Sequence, residues 1–113
     1  MKGTYLGEFQ EIVLLAILIL GEEAYGVRIQ EEIQDQMKRE VSRGALHTAL
    51  MRLIDKGFLT SEMGEALPER GGRRKRIYTV TNIGRQALKE ARALREQLWS
   101  QVPDWAMNMN YTI

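Results

Sequence analysis

Two groups of residues carry chemistry suited to a polyanion. The first is Ser42, Arg43, His47, Thr48 and Arg52, and the second is the run Arg73-Arg74-Lys75-Arg76. A serine and an arginine at the start of a helix, beside its free backbone N–H groups, can hold a phosphate. His47, Thr48 and Arg52 share one helical face and offer hydrogen-bonding edges of the kind that meet base edges in a groove. The basic run would neutralise backbone phosphates, which gives affinity that falls steeply with salt. Taken singly, each feature has a plainer use. A basic run is commonly a solvated loop, a single histidine on a polar face is commonly just exposed, and Arg52 has Asp55 at helical spacing. Their order along the chain argues for the nucleic-acid reading.

Other chemistries are thinly supplied. The 113 residues contain no cysteine and one histidine, which removes disulfides, thiolate catalysis, Cys-based zinc sites and His clusters. No glycine-rich phosphate loop enters a helix, and the carboxylates read as helix-surface pairs such as Glu31-Glu32. No catalytic residue, metal or cofactor is therefore expected. The total charge of +1 hides a strong asymmetry. Residues 1–41 hold four bases against eight acids, whereas residues 64–85 hold six bases against two acids.

The elements that must position these groups follow from periodicity and punctuation. A first helix is predicted from Glu8 to Leu20, stopped by Gly21. Its apolar run from Ile12 to Leu20 is about half the ~20 residues that a membrane span needs, so it reads as a core helix rather than an anchor. Because it is apolar on every face, it must lie centrally or be covered by another subunit. A second helix begins at Tyr25-Gly26, with Ile29, Ile33 and Met37 on one face. Ser42 is the expected N-cap of a third helix ending near Lys56-Gly57. Its apolar stripe is Leu46, Ala49, Leu50, Leu53 and Ile54, which turns His47, Thr48 and Arg52 outward; Met51 reads as a rim residue. Strands are predicted at Leu59–Met63 and Arg76–Val80, joined by a long loop broken at Pro68 and Gly71-Gly72. Thr81 caps a fourth helix from Asn82 to Ser100, beyond which Pro103 ends or bends it.

Three helices and a hairpin in this order make a mainly α fold, a winged helix-turn-helix with a C-terminal dimerisation helix. In that architecture the third helix enters the major groove and the hairpin loop, the wing, lies along the flanking backbone. Residues 1–81 would form the DNA-binding domain and residues 82–113 the dimerisation helix and tail, together one unit. In the fourth helix Ala87, Ala91, Leu94, Leu98, Val102 and Trp105 step by three and four, the seam of a helix–helix contact. The expected dimer surface is Ala91, Leu94, Leu98 and Val102, with Leu15 and Leu18 of the first helix.

Several motifs, in register, resemble one family. Leu6-Gly7-Glu8-Phe9 and Ala24-Tyr25-Gly26 resemble the opening of PadR-like transcriptional regulators. Val41-Ser42-Arg43-Gly44-Ala45-Leu46-His47-Thr48-Ala49-Leu50, with Arg52-Leu53 and Lys56-Gly57, is similar to their recognition helix. Gly64-Glu65, Pro68-Glu69-Arg70-Gly71-Gly72-Arg73, Tyr78 and Thr81-Asn82-Ile83-Gly84-Arg85 resemble their wing and fourth-helix entry. The likeness spans about residues 6–98. The family usually carries a tyrosine where this chain has His47; histidine keeps a ring and a hydrogen-bonding edge but loses the phenol. The resemblance implies a bacterial, cytoplasmic homodimer, nucleoid-associated when bound to double-stranded operator DNA. It also implies a repressor of transporter or detoxification genes, in some relatives released by a small apolar molecule. By the same resemblance Trp99 is a candidate contact for a small aromatic or apolar effector; the alternative is that Trp99 and Trp105 pack within a dimer seam. The competing functional reading is a winged-helix protein-interaction module without DNA, using the acidic residues 1–41 as its surface.

Overall fold

The computed structural model describes residues 6–65 and 74–110. The elements run α1 (Glu8–Leu20), α2 (Gly26–Met37), α3 (Arg43–Asp55), β1 (Leu59–Met63), β2 (Arg76–Val80) and α4 (Asn82–Ser100), with short 3-10 turns at Gly21–Glu23 and Asp104–Met107. Both strands and α4 have the boundaries that the sequence predicts. The signals responsible are local. The Ser42 hydroxyl accepts from Ala45 N–H at 3.0 Å, and Thr81 Oγ1 accepts from Gly84 N–H at 3.0 Å while donating to the Gly57 carbonyl at 2.6 Å. Such caps satisfy donors that the first helical turn leaves unpaired. Gly57, at φ +81°, is the left-handed residue that lets the chain leave α3 for β1.

α1 lies at the centre of the body. Val13, Leu14, Ala16 and Ile17 are buried against α2, α3 and β2, where they meet Ile29, Ile33, Leu53, Phe58 and Tyr78. Its opposite face is open: Leu15 and Leu18 are exposed at 43% and 42%, and Ile19 at 62%. Of the two outcomes expected for an all-round apolar helix, a fully central position is thus not reached within one chain. The wing strands pair antiparallel, Leu59 opposite Val80 and Met63 opposite Arg76. A third short segment joins them, since Tyr25 bridges Ile77 and Tyr78 N–H donates to the Ala24 carbonyl at 2.9 Å. The wing is thereby fixed to the start of α2. This arrangement of three helices and a hairpin is a winged helix.

α4 is rooted on the body and then departs from it. Gly84 and Leu88 are buried and Ala87 and Ala91 half-buried, after which every residue to Ser100 is exposed. The radius of gyration is 17.4 Å, against about 13 Å for a compact chain of this length, and the long dimension is 61 Å. Among the described residues no helix is long and apolar enough to cross a membrane.

Candidate nucleic-acid interface

The recognition-helix candidate is α3, and two glutamines of α2 set its entry. Gln30 Nε2 donates to the Val41 carbonyl at 2.8 Å, and Val41 N–H donates to Gln34 Oε1 at 2.9 Å. Both polar groups of one backbone residue in the α2–α3 turn are thereby satisfied by side chains one helical turn apart. Leaving either unpaired in this part-buried turn would be costly. In the sequence Gln30 and Gln34 are marked only by their i,i+4 spacing on α2, which by itself does not single them out.

On α3 itself, Leu46, Ala49, Leu50 and Leu53 face the core. Ser42, Arg43, His47, Thr48 and Arg52 are all exposed on the other side, as predicted. The side chains of Arg43, His47, Thr48 and Arg52 make no hydrogen bond or ion pair with any described residue, so the suggested Arg52–Asp55 pair does not form. Met51 is half-buried against the core edge. A groove of about 310 Å³ runs beside α3, lined by Gly26, Val27 and Gln30 of α2, by Arg43, Leu46, His47 and Leu50, and by Tyr78. Burial pushes the Tyr78 phenol above its ordinary value of 10.0, and nearby Arg76 opposes part of that shift.

The basic run divides in its structural roles. Arg73, Pro68 and Gly71-Gly72 lie outside the described residues. Arg74 turns back on the wing: its Nε donates to the Gly64 carbonyl at 2.8 Å and its Nη2 to the Met63 carbonyl at 3.2 Å. Lys75 Nζ sits 5.5 Å from the Tyr25 ring centre, a cation–π distance that leaves other ammonium protons available. Arg76 Nη1 donates to Ser61 Oγ across the hairpin at 3.0 Å. Three cations therefore gather at the wing base, with part of each donor set held by the protein. The acidic excess collects elsewhere, on the Gly21–Glu23 turn and α2, where Arg28 pairs with Glu31 at 3.0 Å and lies 3.7 Å from Glu23.

A second concavity lies between α1 and α4, with a volume of about 590 Å³. Leu15, Leu18, Leu88 and Trp99 supply its apolar wall, and Arg85, Lys89, Arg92 and Arg95, with Glu11 and Glu96, its charged rim, where Arg92 pairs with Glu96 and Arg95 with Glu11. The dimer-surface candidates Leu94 and Leu98 are each 56% exposed and Ala91 is half-buried at the root, whereas Val102, 38% exposed, lies past the end of α4 at Ser100 and does not continue its helical face; the effector candidate Trp99 is 60% exposed. Among the described residues no group of three His, Cys, Asp or Glu side chains could hold a metal ion.

The model of the transcriptional regulator PadR-like family matches residues 14–90, from the middle of α1 into α4. The chain belongs to the PadR-like family of transcriptional regulators. The match covers about two thirds of the chain and includes α3 and the wing. Solved structures agree. The complex structure of hsRosR-S4 is 26% identical, with a TM-score of 0.64 over 90% of this chain and 81% of that one. A PadR-like transcription factor from Bacteroides fragilis is 25% identical, with a TM-score of 0.65 over 81% of this chain and 84% of that one. F93 from STIV, a winged-helix DNA-binding protein, is 21% identical with a TM-score of 0.66 over 88% and 99%, and shows the shared fold. Among curated proteins, none matches the chain. Family and fold together are those of DNA-binding transcriptional regulators, and this PadR-like chain is one.

Proposed function

We propose that this PadR-like regulator acts as a homodimeric repressor that reads its operator with α3. Ser42, Arg43, His47, Thr48 and Arg52 are assigned to the major groove and its edge, and Arg73, Arg74, Lys75 and Arg76 to the flanking backbone. The observation that carries this reading is the outward face of α3, where capable hydrogen-bonding groups stand exposed with no partner among the described residues. Their position beside the cations of the wing base is what favours one shared polyanion over separately solvated surface groups. The acidic turn and α2 would repel DNA from the wrong side and so orient the encounter. Residues 1–81 form the DNA-binding part and residues 82–113 the dimerisation part. The seam of Ala91, Leu94 and Leu98, with Val102 beyond the helix end and Leu15 and Leu18 of α1, joins two copies. The α1–α4 concavity, with Trp99 on its wall, is the candidate seat of a small aromatic or apolar effector that releases DNA.

A gel-shift titration against the region upstream of the gene tests the assignment. Affinity should fall steeply with salt, with a log–log slope of about −0.9 for each phosphate neutralised. Replacing Arg43, the cation at the start of α3, with alanine should reduce the slope by about 1, whereas Arg52→Ala should relax discrimination between related sequences. Binding that ignores salt, or an Arg43→Ala protein with the parent slope together with an Arg52→Ala protein of parent discrimination, would remove α3 from the interface.

A further inference from the structure

Among the described residues Glu11 is the one buried charged side chain. It pairs with Arg95 Nη1, which reaches it from α4 across 84 positions of sequence. Leu88 is the last buried residue of α4, and Arg95 lies two helical turns beyond it. The helix is therefore tied to the body at two levels. Gly84 and Leu88 pack its root, and the ion pair holds it farther out. A root alone is a pivot; a second tie fixes the angle. The Glu11 side chain is 11% exposed and that of Arg95 51%, so a swing that carries Arg95 away strips a largely buried carboxylate of its ion-pair partner, and the pair opposes tilt. The lever is long. α4 extends about 28 Å, so a 10° tilt at its root displaces its far end by about 5 Å.

We propose that Glu11 and Arg95 are positioning residues for DNA recognition. They hold α4 at the angle that fixes the separation of the two α3 helices in the dimer, and so select the spacing between operator half-sites. The inference rests on the homodimer reading above. One inserted base pair moves a half-site by about 3.4 Å and turns it by about 34°, so the displacement at stake is comparable to one base pair.

The chain has no cysteine, so Ala45→Cys on exposed α3 gives one spin label per protomer. Electron-spin distance measurements on the labelled dimer should give a narrow distribution for the parent. The distribution should broaden in E11Q/R95Q, which removes both charges and leaves no orphan ion, and R95K should restore the narrow width. The unlabelled proteins are then titrated with palindromic duplexes selected by the parent, carrying no, one or two base pairs inserted between half-sites. The parent should lose at least about tenfold in affinity per inserted pair, and E11Q/R95Q less than about threefold, with single half-site affinity unchanged. An unchanged distance width or an unchanged spacing profile in E11Q/R95Q overturns the assignment. A parent that sediments as a monomer overturns the dimer reading and this inference with it, whereas a dimeric parent with an unaltered profile overturns only the role of the pair.

Discussion

Gly84 is the tightest point at which α4 meets the body, and adding a single methyl group there should be felt. A β-carbon would stand 2.4 Å from the Phe58 carbonyl oxygen, 2.9 Å from Val80 Cγ1 and 3.2 Å from the Phe58 carbonyl carbon. Two of these three atoms are backbone, so no rotamer change relieves the contact. Restoring van der Waals separation requires α4 and the α3–β1 turn to part by about 1 Å. The same movement pulls on Thr81, whose N–H donates to the Phe58 carbonyl at 3.0 Å and whose hydroxyl caps the helix. Overpacking of this kind costs about 1–3 kcal/mol, and weakening the cap adds up to about 1 kcal/mol. Alanine's helical advantage over glycine returns up to about 1 kcal/mol. The net loss should be near 2 kcal/mol, which for a domain of this size lowers Tm by about 5–10 °C. Gly44 supplies the control, because a β-carbon there has nothing within 4 Å. Gly44→Ala should be neutral or stabilise by up to about 1 kcal/mol. Thermal and urea unfolding followed by circular dichroism would measure both variants. A Gly84→Ala protein as stable as the parent, or the reverse ranking of the two, would refute the packing account.

Further outcomes follow from the other roles. Gln34→Leu strands the Val41 N–H and should cost about 1–3 kcal/mol in urea unfolding, while also weakening DNA binding by loosening the entry of α3. An undiminished unfolding midpoint would show that water replaces the amide. His47→Ala should change discrimination between related operators more than overall affinity; a uniform loss across sequences in a binding-site selection would assign His47 to backbone contact. Leu94→Asp introduces a charge into the exposed α4 seam and should yield a monomer in sedimentation, with Tm of the body little altered because Leu94 is outside the core. A dimer of parent mass would place the contact elsewhere.

What the sequence made legible was local. Ser42, Gly57 and Thr81 mark element ends by cap and turn chemistry that operates within three residues, and the observed elements end there. The alternation in Arg76-Ile77-Tyr78-Thr79-Val80 likewise reports its own strand. The exposed face of α3 followed from the 3.6-residue period of Leu46, Ala49, Leu50 and Leu53. Contacts across large sequence separations left no such mark. Nothing near Glu11 announces Arg95, and nothing in the run around Arg74 reveals that its guanidinium binds the wing's own carbonyls. The α1 run announced its hydrophobicity but not which side would stay open, because that depends on where α2, α3 and β2 come to rest. Arg73, the first member of the basic run, lies outside the described residues.

The division of labour on α3 has a consequence for how such a regulator changes over time. Core packing and the Ser42 cap hold the helix in place, and Gln30 and Gln34 fix its entry, whereas His47, Thr48 and Arg52 lie on the open side. Substitutions at those three exposed positions should shift folding stability by less than about 0.5 kcal/mol. On the proposed reading of α3, sequence preference can then drift, or be rewritten by design, almost without thermodynamic penalty to the fold. On that reading the helix is an exchangeable cartridge in a fixed holder, and its specificity can change while the holder stays as it is.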